Sequence, residues 1–226
     1  MNAKQQVGLE AAGRVASGMV VGLGTGSTAT YFVQELGRRI RAEGLSIRCV
    51  SSSFACSLLA RQEGMPLVPL DQVSRIDLYA DGADEVDPGK GLIKGRGAAM
   101  LGEKLLAEAA DTFLVLVDEG KLVPSLGTRF PVPVEVLPPA VELVRARLEG
   151  LRAQVTLRPA GGKDGPVVTD AGNLILDAVF PAGTDWKAME TALDALPGVA
   201  EHGLFLRYAA KTEVLVGSAA GVRSIR

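Results

Sequence analysis

The sequence of 226 residues is poor in several residue types, and each scarcity excludes a class of protein. Its two cysteines, Cys49 and Cys56, have no second pair, so they fit neither a disulfide framework nor a zinc site. Its one histidine, His202, has no visible partner in the sequence, so a histidine-based triad is not available. Basic residues do not exceed acidic ones, 24 against 26. A general electrostatic surface for nucleic acid is therefore disfavoured.

Long apolar runs are also missing. The longest, such as Phe113–Val117, fall far short of the ~18 residues that span a bilayer. The first ten residues contain a single lysine, Lys4, and no apolar core of a signal peptide. Apolar residues nevertheless make up 47% of the chain, which is enough for a substantial core. We therefore expect a cytoplasmic globular protein without a metal.

The first half of the chain alternates apolar strand-like segments with helix-like ones. Strands are predicted at Met19–Leu23, Ile47–Val50, Pro66–Leu70, Ile76–Ala80 and Phe113–Val117, and helices at Ala29–Ala42, Phe54–Gln62 and Ala98–Ala110. Strands that are apolar throughout are typical of a parallel sheet covered on both faces. This half therefore predicts an α/β domain.

A cluster of prolines at Phe130–Pro139 indicates a passage to a second unit. The segment beyond it predicts helix, strand, strand, helix and a closing strand, at Val141–Leu151, Gln154–Leu157, Leu174–Val179, Trp186–Leu196 and Gly203–Phe205. A last strand, Glu213–Val216, is expected to return to the first domain. The predicted organisation is a larger α/β domain, residues 1–129 plus 206–226, and a small α+β domain, residues 130–205.

A glycine-rich turn, Gly22–Thr28, connects the first strand to the first predicted helix. Its glycines permit close backbone approach, and the N–H groups at the start of the helix favour an anion, so the turn suits a phosphate. A dinucleotide-binding turn would have glycine where this chain has Ser27, and an acidic residue where it has Ser51–Ser53. No lysine follows for a P-loop. The remaining alternative is a tight turn without a ligand.

Two further motifs follow predicted strands. Carboxylates in Asp81–Asp87 would lie at the ligand-binding edge of an α/β sheet, although a solvated acidic turn remains an alternative. Ala83 stands where a calcium loop needs an oxygen ligand. The motif Lys94–Ala99 opens a helix, and its lysine could neutralise a phosphate or an oxyanion. Lys121 follows another strand and could reach the same edge; for Lys94, the alternative is a surface lysine.

Glu103 is the most informative single residue. Its neighbours on the predicted helix face are all apolar, namely Ala99, Met100, Leu106 and Ala107. Burial of a carboxylate is costly and raises its pKa from about 4.3 toward neutrality, the range useful to a general base. The alternative is a glutamate at the rim of the core that reaches water.

These three motifs together resemble the ribose 5-phosphate isomerase A family, in the segments Gly22–Thr28, Asp81–Glu85 and Lys94–Lys104. The resemblance extends through Pro133–Val136, Val168–Asp177 and Leu196–Val199, and so covers nearly the whole chain. It implies a Rossmann-like, mostly parallel sheet domain with a smaller ferredoxin-like α+β domain. It also implies homo-oligomers, dimers or tetramers, no metal or organic cofactor, and interconversion of D-ribose 5-phosphate and D-ribulose 5-phosphate in the pentose phosphate pathway.

The resemblance also assigns roles to residues of this chain. It places the catalytic groups at Glu103, Asp81, Lys94 and Lys121. It places substrate contacts at Lys4, Thr25, Gly26, Ser27, Thr28, Asp81, Gly82, Ala83, Asp84, Lys94, Gly95, Arg96, Gly97 and Lys121. Arg96 stands where some relatives have glycine, so the motif's backbone contacts are kept while the role of its side chain is open.

Rival functions come from other classes. A sugar-phosphate sensor on the same fold would call for a DNA-binding segment, and would leave Glu103 unexplained. A coenzyme A transferase would need its glutamate in a different context, and an amino-sugar-phosphate deaminase typically needs a histidine, which only His202 could supply. The isomerase is therefore the function that the sequence favours.

Overall fold

The structure is a computed structural model that describes residues 2–162 and 164–226. The helices are α1 Ala3–Gly13, α2 Ser27–Glu43, α3 Phe54–Gln62, α4 Met100–Ala109, α5 Val141–Gly150 and α6 Trp186–Asp194. The strands are β1 Val20–Leu23, β2 Arg48–Ser51, β3 Ile76–Asp81, β4 Glu85–Val86, β5 Leu92–Ile93, β6 Ala110–Asp118, β7 Val132–Val136, β8 Gln154–Leu157, β9 Leu174–Val179, β10 Val199–His202, β11 Thr212–Ser218 and β12 Gly221–Ile225. Within the described ranges, no helix combines the length and the apolar composition that crossing a bilayer requires.

The chain divides into two compact units. The first comprises residues 1–83, 102–122 and 208–226, and the second comprises residues 84–101 and 123–207. The sequence had placed the passage to the second unit at the proline cluster, whereas residues 84–101 already group with the second unit here. Two of the predicted site motifs therefore fall in different units.

The first unit contains a six-stranded sheet in the order β12-β11-β6-β3-β1-β2. Five of its strands are parallel, and only the edge strand β12 is antiparallel to its neighbour. The strand order reverses between the neighbours β1 and β3, because β2 lies on one side of that pair and β6 on the other. Ligands of open α/β sheets bind beyond the carboxyl ends of the strands at such a reversal.

Two elements of this unit carry no strong sequence pattern. Helix α1 packs closely against α2 through small residues, since a Cβ on Gly8 would lie 2.7 Å from the Cβ of Tyr31. Strand β12 is a partly exposed edge that includes Arg223 and Ser224, so it lacks an apolar run. Neither element was predicted.

One predicted strand, Pro66–Leu70, is wrong. Its residues run beside β2, with the Cys49 N–H donating to the Pro66 carbonyl at 2.9 Å and the Val68 N–H donating to the Cys49 carbonyl at 2.9 Å. Pro66 and Pro69 have no N–H groups, so the ladder cannot continue. The segment ends in a short 3₁₀ turn, Leu70–Gln72.

The second unit has the element order β7-α5-β8-β9-α6-β10, with a four-stranded antiparallel sheet in the order β10-β7-β9-β8. This is the ferredoxin-like arrangement. Its strand β7 lies inside the proline cluster, where Pro133 is tolerated near the strand start and its carbonyl accepts from the Gly203 N–H at 2.8 Å. The closing strand is β10, so the prediction of Gly203–Phe205 as that strand is wrong; the Phe205 N–H instead donates to Leu92 of β5.

Polar contacts join strand β11 to the edge strand β12 and to the residue that follows helix α1. The Glu213 carboxylate of β11 accepts hydrogen bonds from Arg14 at 2.7 Å, Ser224 at 2.5 Å and Arg226 at 3.2 Å. Burial opposes ionisation of this carboxyl, but the three donors outweigh it and lower the pKa of Glu213 to about 2.

Cys49 and Cys56 are free and buried, and burial raises the pKa of each thiol to about 12.

Candidate active site

The glycine-rich turn ends at the start of the 17-residue helix α2. Gly26 precedes the helix with φ of 107°, a conformation that suits glycine and leaves the first turn without a side-chain cap. The N–H groups of that turn are therefore available to an anion. Ser27 and Gly26 are exposed, whereas Thr28 is buried.

Helix α1 contributes a cation to this turn. The Lys4 ammonium donates to the Ser27 hydroxyl at 2.9 Å, although 23 residues separate the two along the chain. The structure therefore brings Lys4 to the glycine-rich turn, where the resemblance had assigned it. A phosphate there would meet both helix N–H groups and this ammonium.

Hydroxyl groups from the end of β2 complete the turn. The Thr25 hydroxyl lies 3.0 Å from the Ser52 hydroxyl and 2.7 Å from the Ser53 hydroxyl. Ser53 also caps helix α3 by accepting from the Cys56 N–H at 3.1 Å. In the sequence, Ser51–Ser53 argue only against a nucleotide ribose, and their contact with Thr25 is visible only in the fold.

Asp81 lies at the carboxyl end of β3, next to the same turn. Its Oδ1 accepts from the N–H groups of Thr25 at 2.9 Å and Gly82 at 2.7 Å, and its Oδ2 accepts from the Tyr79 hydroxyl at 2.5 Å. The carboxylate is fully buried. Gly24 leaves the space for it, since a Cβ there would lie 2.2 Å from Oδ1. Asp81 is therefore held in one orientation by three donors.

Tyr79 is a residue that sequence reasoning missed. Its ring is fully buried and stacks on Phe113, with ring centroids 4.9 Å apart. Burial and the charges of Asp81 and Glu103 raise the pKa of Tyr79 well above its usual range. The phenol therefore stays protonated and donates to Asp81.

Glu103 occupies helix α4 and is 4% exposed, as its apolar neighbours predict. Leu106 and Ala107 of the same helix face are buried too. Glu103 and Asp81 both act on the buried Tyr79 through their charges, so the first unit holds two carboxyl groups close to one phenol. Such an arrangement of buried carboxyl groups is typical of sites that move protons.

Lys121 follows the carboxyl end of β6, in a short 3₁₀ turn, Glu119–Lys121. Strand β6 is the neighbour of β3, with Asp81 opposite Val115 in the register. Lys121 is partly exposed, as are Gly82 and Ala83 after β3. These residues lie at the same sheet edge as the glycine-rich turn.

The remaining predicted residues belong to the second unit. Asp84 precedes the hairpin β4-β5, and its N–H donates to Ile93 at 2.8 Å. Its neighbour Glu85 is fully buried and accepts three backbone N–H groups, from Gly127 at 2.7 Å, Phe130 at 2.8 Å and Arg129. Glu85 therefore holds the hairpin against the loop that leads to β7.

Lys94 follows β5 and is 2% exposed. Its N–H donates to Gly203 at 2.9 Å, and its ammonium lies 5.5 Å from the centre of the Phe205 ring. Gly95 has φ of 101°, and the Arg96 N–H donates to the Asp84 carboxylate at 3.0 Å. The Arg96 side chain is 73% exposed and lies 3.8 Å from the same carboxylate. Lys94 is therefore not a surface lysine, and Arg96 holds Asp84 through its backbone.

Another polar cluster lies in the second unit. Ligand atoms of Asp194, Glu201 and His202 come within 4.8 Å of one another. The His202 Nδ1 accepts from the Leu204 N–H at 3.2 Å, and its Nε2 lies 2.9 Å from Asp194. His202 therefore has hydrogen-bond partners that the sequence alone does not reveal. Both ring nitrogens are engaged within the protein, so hydrogen bonding accounts for the cluster without an ion.

Comparison with known proteins gives consistent matches along the chain. The family model for ribose 5-phosphate isomerase A (phosphoriboisomerase A) matches residues 48–221. The ribose-5-phosphate isomerase A of Thermosynechococcus vestitus is 53% identical over 95% of this chain and 90% of its own length. That of Methanothermobacter thermautotrophicus is 47% identical over 100% of this chain and 98% of its own length.

Solved structures agree in fold. A ribose 5-phosphate isomerase A from Methanocaldococcus jannaschii is 43% identical and has a TM-score of 0.94, covering 99% of this chain and 98% of its own. A D-ribose-5-phosphate isomerase in complex with phospho-erythronic acid is also 43% identical, with a TM-score of 0.94 and full coverage of both chains. The predicted α/β architecture with a smaller α+β unit is thereby confirmed.

Proposed function

The chain belongs to the ribose 5-phosphate isomerase A family, and we propose that it interconverts D-ribose 5-phosphate and D-ribulose 5-phosphate through an enediolate. The observation that carries this proposal is the first unit's pairing of an uncapped helix start with a buried carboxyl group, Glu103. The helix start suits the phosphate, and the carboxyl group suits proton transfer.

Glu103 is proposed as the base. In the open-chain aldose it takes the proton from C2, the C1–C2 bond gains double-bond character, and the C1 oxygen becomes an oxyanion. Return of the same proton to C1, with transfer of the O2 proton to O1, gives the ketose. One carboxylate can serve both carbon atoms because they are adjacent.

The other predicted residues are assigned to the oxygen atoms. Lys94, a buried cation in the second unit, is proposed to stabilise the enediolate oxygen. Asp81 and Lys121 are proposed to move the hydroxyl protons that accompany ring opening, and Asp84 is proposed to orient the sugar. Asp81 suits this task because three donors fix its carboxylate in place.

The phosphate is assigned to the glycine-rich turn. Thr25, Gly26, Ser27 and Thr28 supply N–H and hydroxyl groups, and Lys4 supplies a cation 2.9 Å from the Ser27 hydroxyl. Binding at this remote group positions C1 and C2 before the reaction. The sugar is proposed to contact the backbone of five further residues, Gly82, Ala83, Gly95, Arg96 and Gly97.

The relative bound to phospho-erythronic acid supports a sugar phosphate as the substrate class. That acid carries a phosphate at one end and a planar carboxylate at the other, so it resembles the planar enediolate of a sugar phosphate. A chain with the same fold and 43% identity is expected to bind the same compound. We further propose a homo-oligomer, a dimer or tetramer, that acts in the cytoplasm within the pentose phosphate pathway.

The decisive experiment compares two substrates. Wild-type protein is supplied with ribose 5-phosphate or ribose, without added metal or nucleotide, and ketose formation is followed. We expect rapid conversion of the phosphorylated sugar and very poor conversion of ribose. Absence of conversion of ribose 5-phosphate, with tight binding retained, would instead identify a sugar-phosphate sensor.

A pair of threonine variants tests the phosphate assignment. Thr28→Ala should raise KM for ribose 5-phosphate, since its side chain is buried at the helix start. Thr30→Ala is the matched control, because the Thr30 hydroxyl donates back to the Gly26 carbonyl at 3.0 Å within the same helix turn. Equal KM values for the two variants would remove Thr28 from the phosphate site.

A further inference from the structure

The segment Val168–Asp177 resembles the family but has no part in the reaction described above. Its last residue, Asp177, lies on β9 opposite Thr156 of β8. Arg158 follows β8 directly, and its N–H donates to the Ile175 carbonyl at 2.8 Å, which fixes the base of its side chain. Asp177 and Arg158 therefore emerge from neighbouring strands of the second unit.

The two side chains form a bidentate ion pair. The Arg158 Nε donates to Asp177 Oδ2 at 2.8 Å, and Nη2 donates to Oδ1 at 2.5 Å. Both side chains are largely buried, with 14% and 20% of their surfaces exposed. A guanidinium held in this way has one defined orientation.

The remaining nitrogen of Arg158 reaches the lysine-bearing loop. Its Nη1 donates to the carbonyls of Gly95 and Arg96, each at 2.9 Å. In a trans peptide the carbonyl and the N–H of one group point in opposite directions. The Gly95 carbonyl, which also accepts from the Ala98 N–H at 3.0 Å, points to Arg158, so the Arg96 N–H points away from Arg158 and toward Asp84, where it donates at 3.0 Å. By the same reasoning the Gly97 N–H points away from Arg158.

We propose that Arg158, oriented by Asp177, is a positioning residue for the loop Lys94–Gly97. It holds two successive peptide groups so that Asp84 and the N–H of Gly97, an exposed residue, face the side opposite the guanidinium. The backbone of Lys94 is then held on both sides. Its own N–H donates to the Gly203 carbonyl, and the carbonyl of the next residue, Gly95, accepts from Arg158. The inference rests on the proposed function, because it assigns Lys94 and Asp84 to the substrate.

The ladder between β8 and β9 does not need this ion pair. Four residue pairs already join the two strands, from Gln154 opposite Val179 to Leu157 opposite Leu176. A pair that served only to join them would not require an additional nitrogen aimed at two carbonyls 62 and 63 residues earlier in the chain. The position of Arg158 Nη1 is explained by its contacts with the loop Lys94–Gly97.

The test removes the guanidinium and then returns it in solution. In Arg158→Ala we expect kcat for ribose 5-phosphate to fall by about 10-fold to 100-fold, since misplacement by about 1 Å costs about 10²-fold. KM should change far less. Millimolar guanidinium, but not sodium chloride at equal ionic strength, should restore part of kcat without raising the unfolding midpoint. Arg145→Ala is the matched control, because Arg145 also contacts a carboxylate and a carbonyl of this unit but not the loop.

Asp177→Asn keeps the shape and is the second variant. We expect its kcat to fall by about 10-fold, measured at a temperature where the variant is fully folded. Some stability should be lost as well, because one partner of a largely buried ion pair loses its charge. If Arg158→Ala does not fold, Asp177→Asn is the variant that tests the proposal. The inference is overturned if wild type is active and either folded variant keeps wild-type kcat, or if losses of kcat only parallel losses of stability and guanidinium has no effect. An inactive wild type would instead overturn the proposed function.

Discussion

Gly24→Ala should damage the site without removing any functional group. Gly24 follows β1, and an alanine Cβ there would lie 2.2 Å from Asp81 Oδ1 and 2.3 Å from its Cγ. Real Cβ atoms essentially never approach a neighbour closer than 3.0 Å, so the carboxylate must move by about 0.8 Å. The obstacle is space, because the backbone at Gly24 is not in the left-handed region.

The size of the effect follows from what Asp81 would lose. Its carboxylate accepts from Thr25, Gly82 and Tyr79 at 2.9, 2.7 and 2.5 Å, and a displacement of this size breaks or lengthens those bonds. Misplacement of a reacting group by about 1 Å costs about 10²-fold in rate. We therefore expect kcat/KM for ribose 5-phosphate to fall by about two orders of magnitude, or about 2.7 kcal/mol.

The matched control is Gly13→Ala, at the end of α1, where an added Cβ would meet nothing within 4 Å. It should keep wild-type activity and gain up to about 1 kcal/mol of stability from the better helix former. Steady-state kinetics and thermal unfolding of both variants make the comparison. A Gly24→Ala protein with more than about half of the wild-type kcat/KM would refute the reasoning, since the structural displacement it predicts is near the 1 Å scale.

Three further predictions concern groups described above. Glu103→Gln should lower kcat by at least about 10²-fold while substrate still binds, and it should abolish exchange of solvent deuterium into C1 or C2; a variant with more than about a tenth of wild-type kcat would remove Glu103 from the mechanism. Tyr79→Phe should keep the stacking on Phe113 but lose the bond to Asp81, so we expect a fall in kcat of about 10-fold or more, and an unchanged kcat would contradict a positioning role. Glu213, whose pKa is lowered to about 2, stabilises the fold above its ordinary pKa and loses that contribution as the pH falls toward 2. The stability difference between wild type and Glu213→Gln in urea, about 1–2 kcal/mol after solvent screening, should therefore shrink from about pH 6 to about pH 3; a constant difference would contradict the assignment.

The sequence predicted those parts of the fold whose signals are local. The apolar strands around β1, β3 and β6 and the helices that follow the motifs were predicted within a few residues, because burial on both faces leaves a continuous apolar run. Helix α1 and strand β12 were missed because the first packs through small residues and the second is a polar edge. Strand β7 was missed because its prolines read as a linker, although only one N–H is lost within the strand, at Pro133.

The residues of the candidate site likewise differ in whether the sequence gives a local signal for them. The residues proposed to carry the chemistry, such as Glu103 and Lys94, stand in motifs whose spacing is visible in the sequence, and both prove to be buried polar groups. The residues that hold the groups of the site in place stand in no motif of the sequence. Tyr79 reads as one more apolar strand residue until its hydroxyl is found 2.5 Å from Asp81.

Arg158 makes the general reason plain. It lies more than 60 residues from the loop carbonyls it contacts, and nothing in its neighbourhood in the sequence distinguishes it from the exposed arginines of the chain. Its orientation comes from Asp177, across one strand pair, and that pairing is a property of the folded sheet. Buried polar groups must find partners wherever the fold supplies them, so the supporting contacts are set by topology while the reacting groups are set by chemistry. A substitution at such a support should therefore change kcat while every motif in the sequence remains intact.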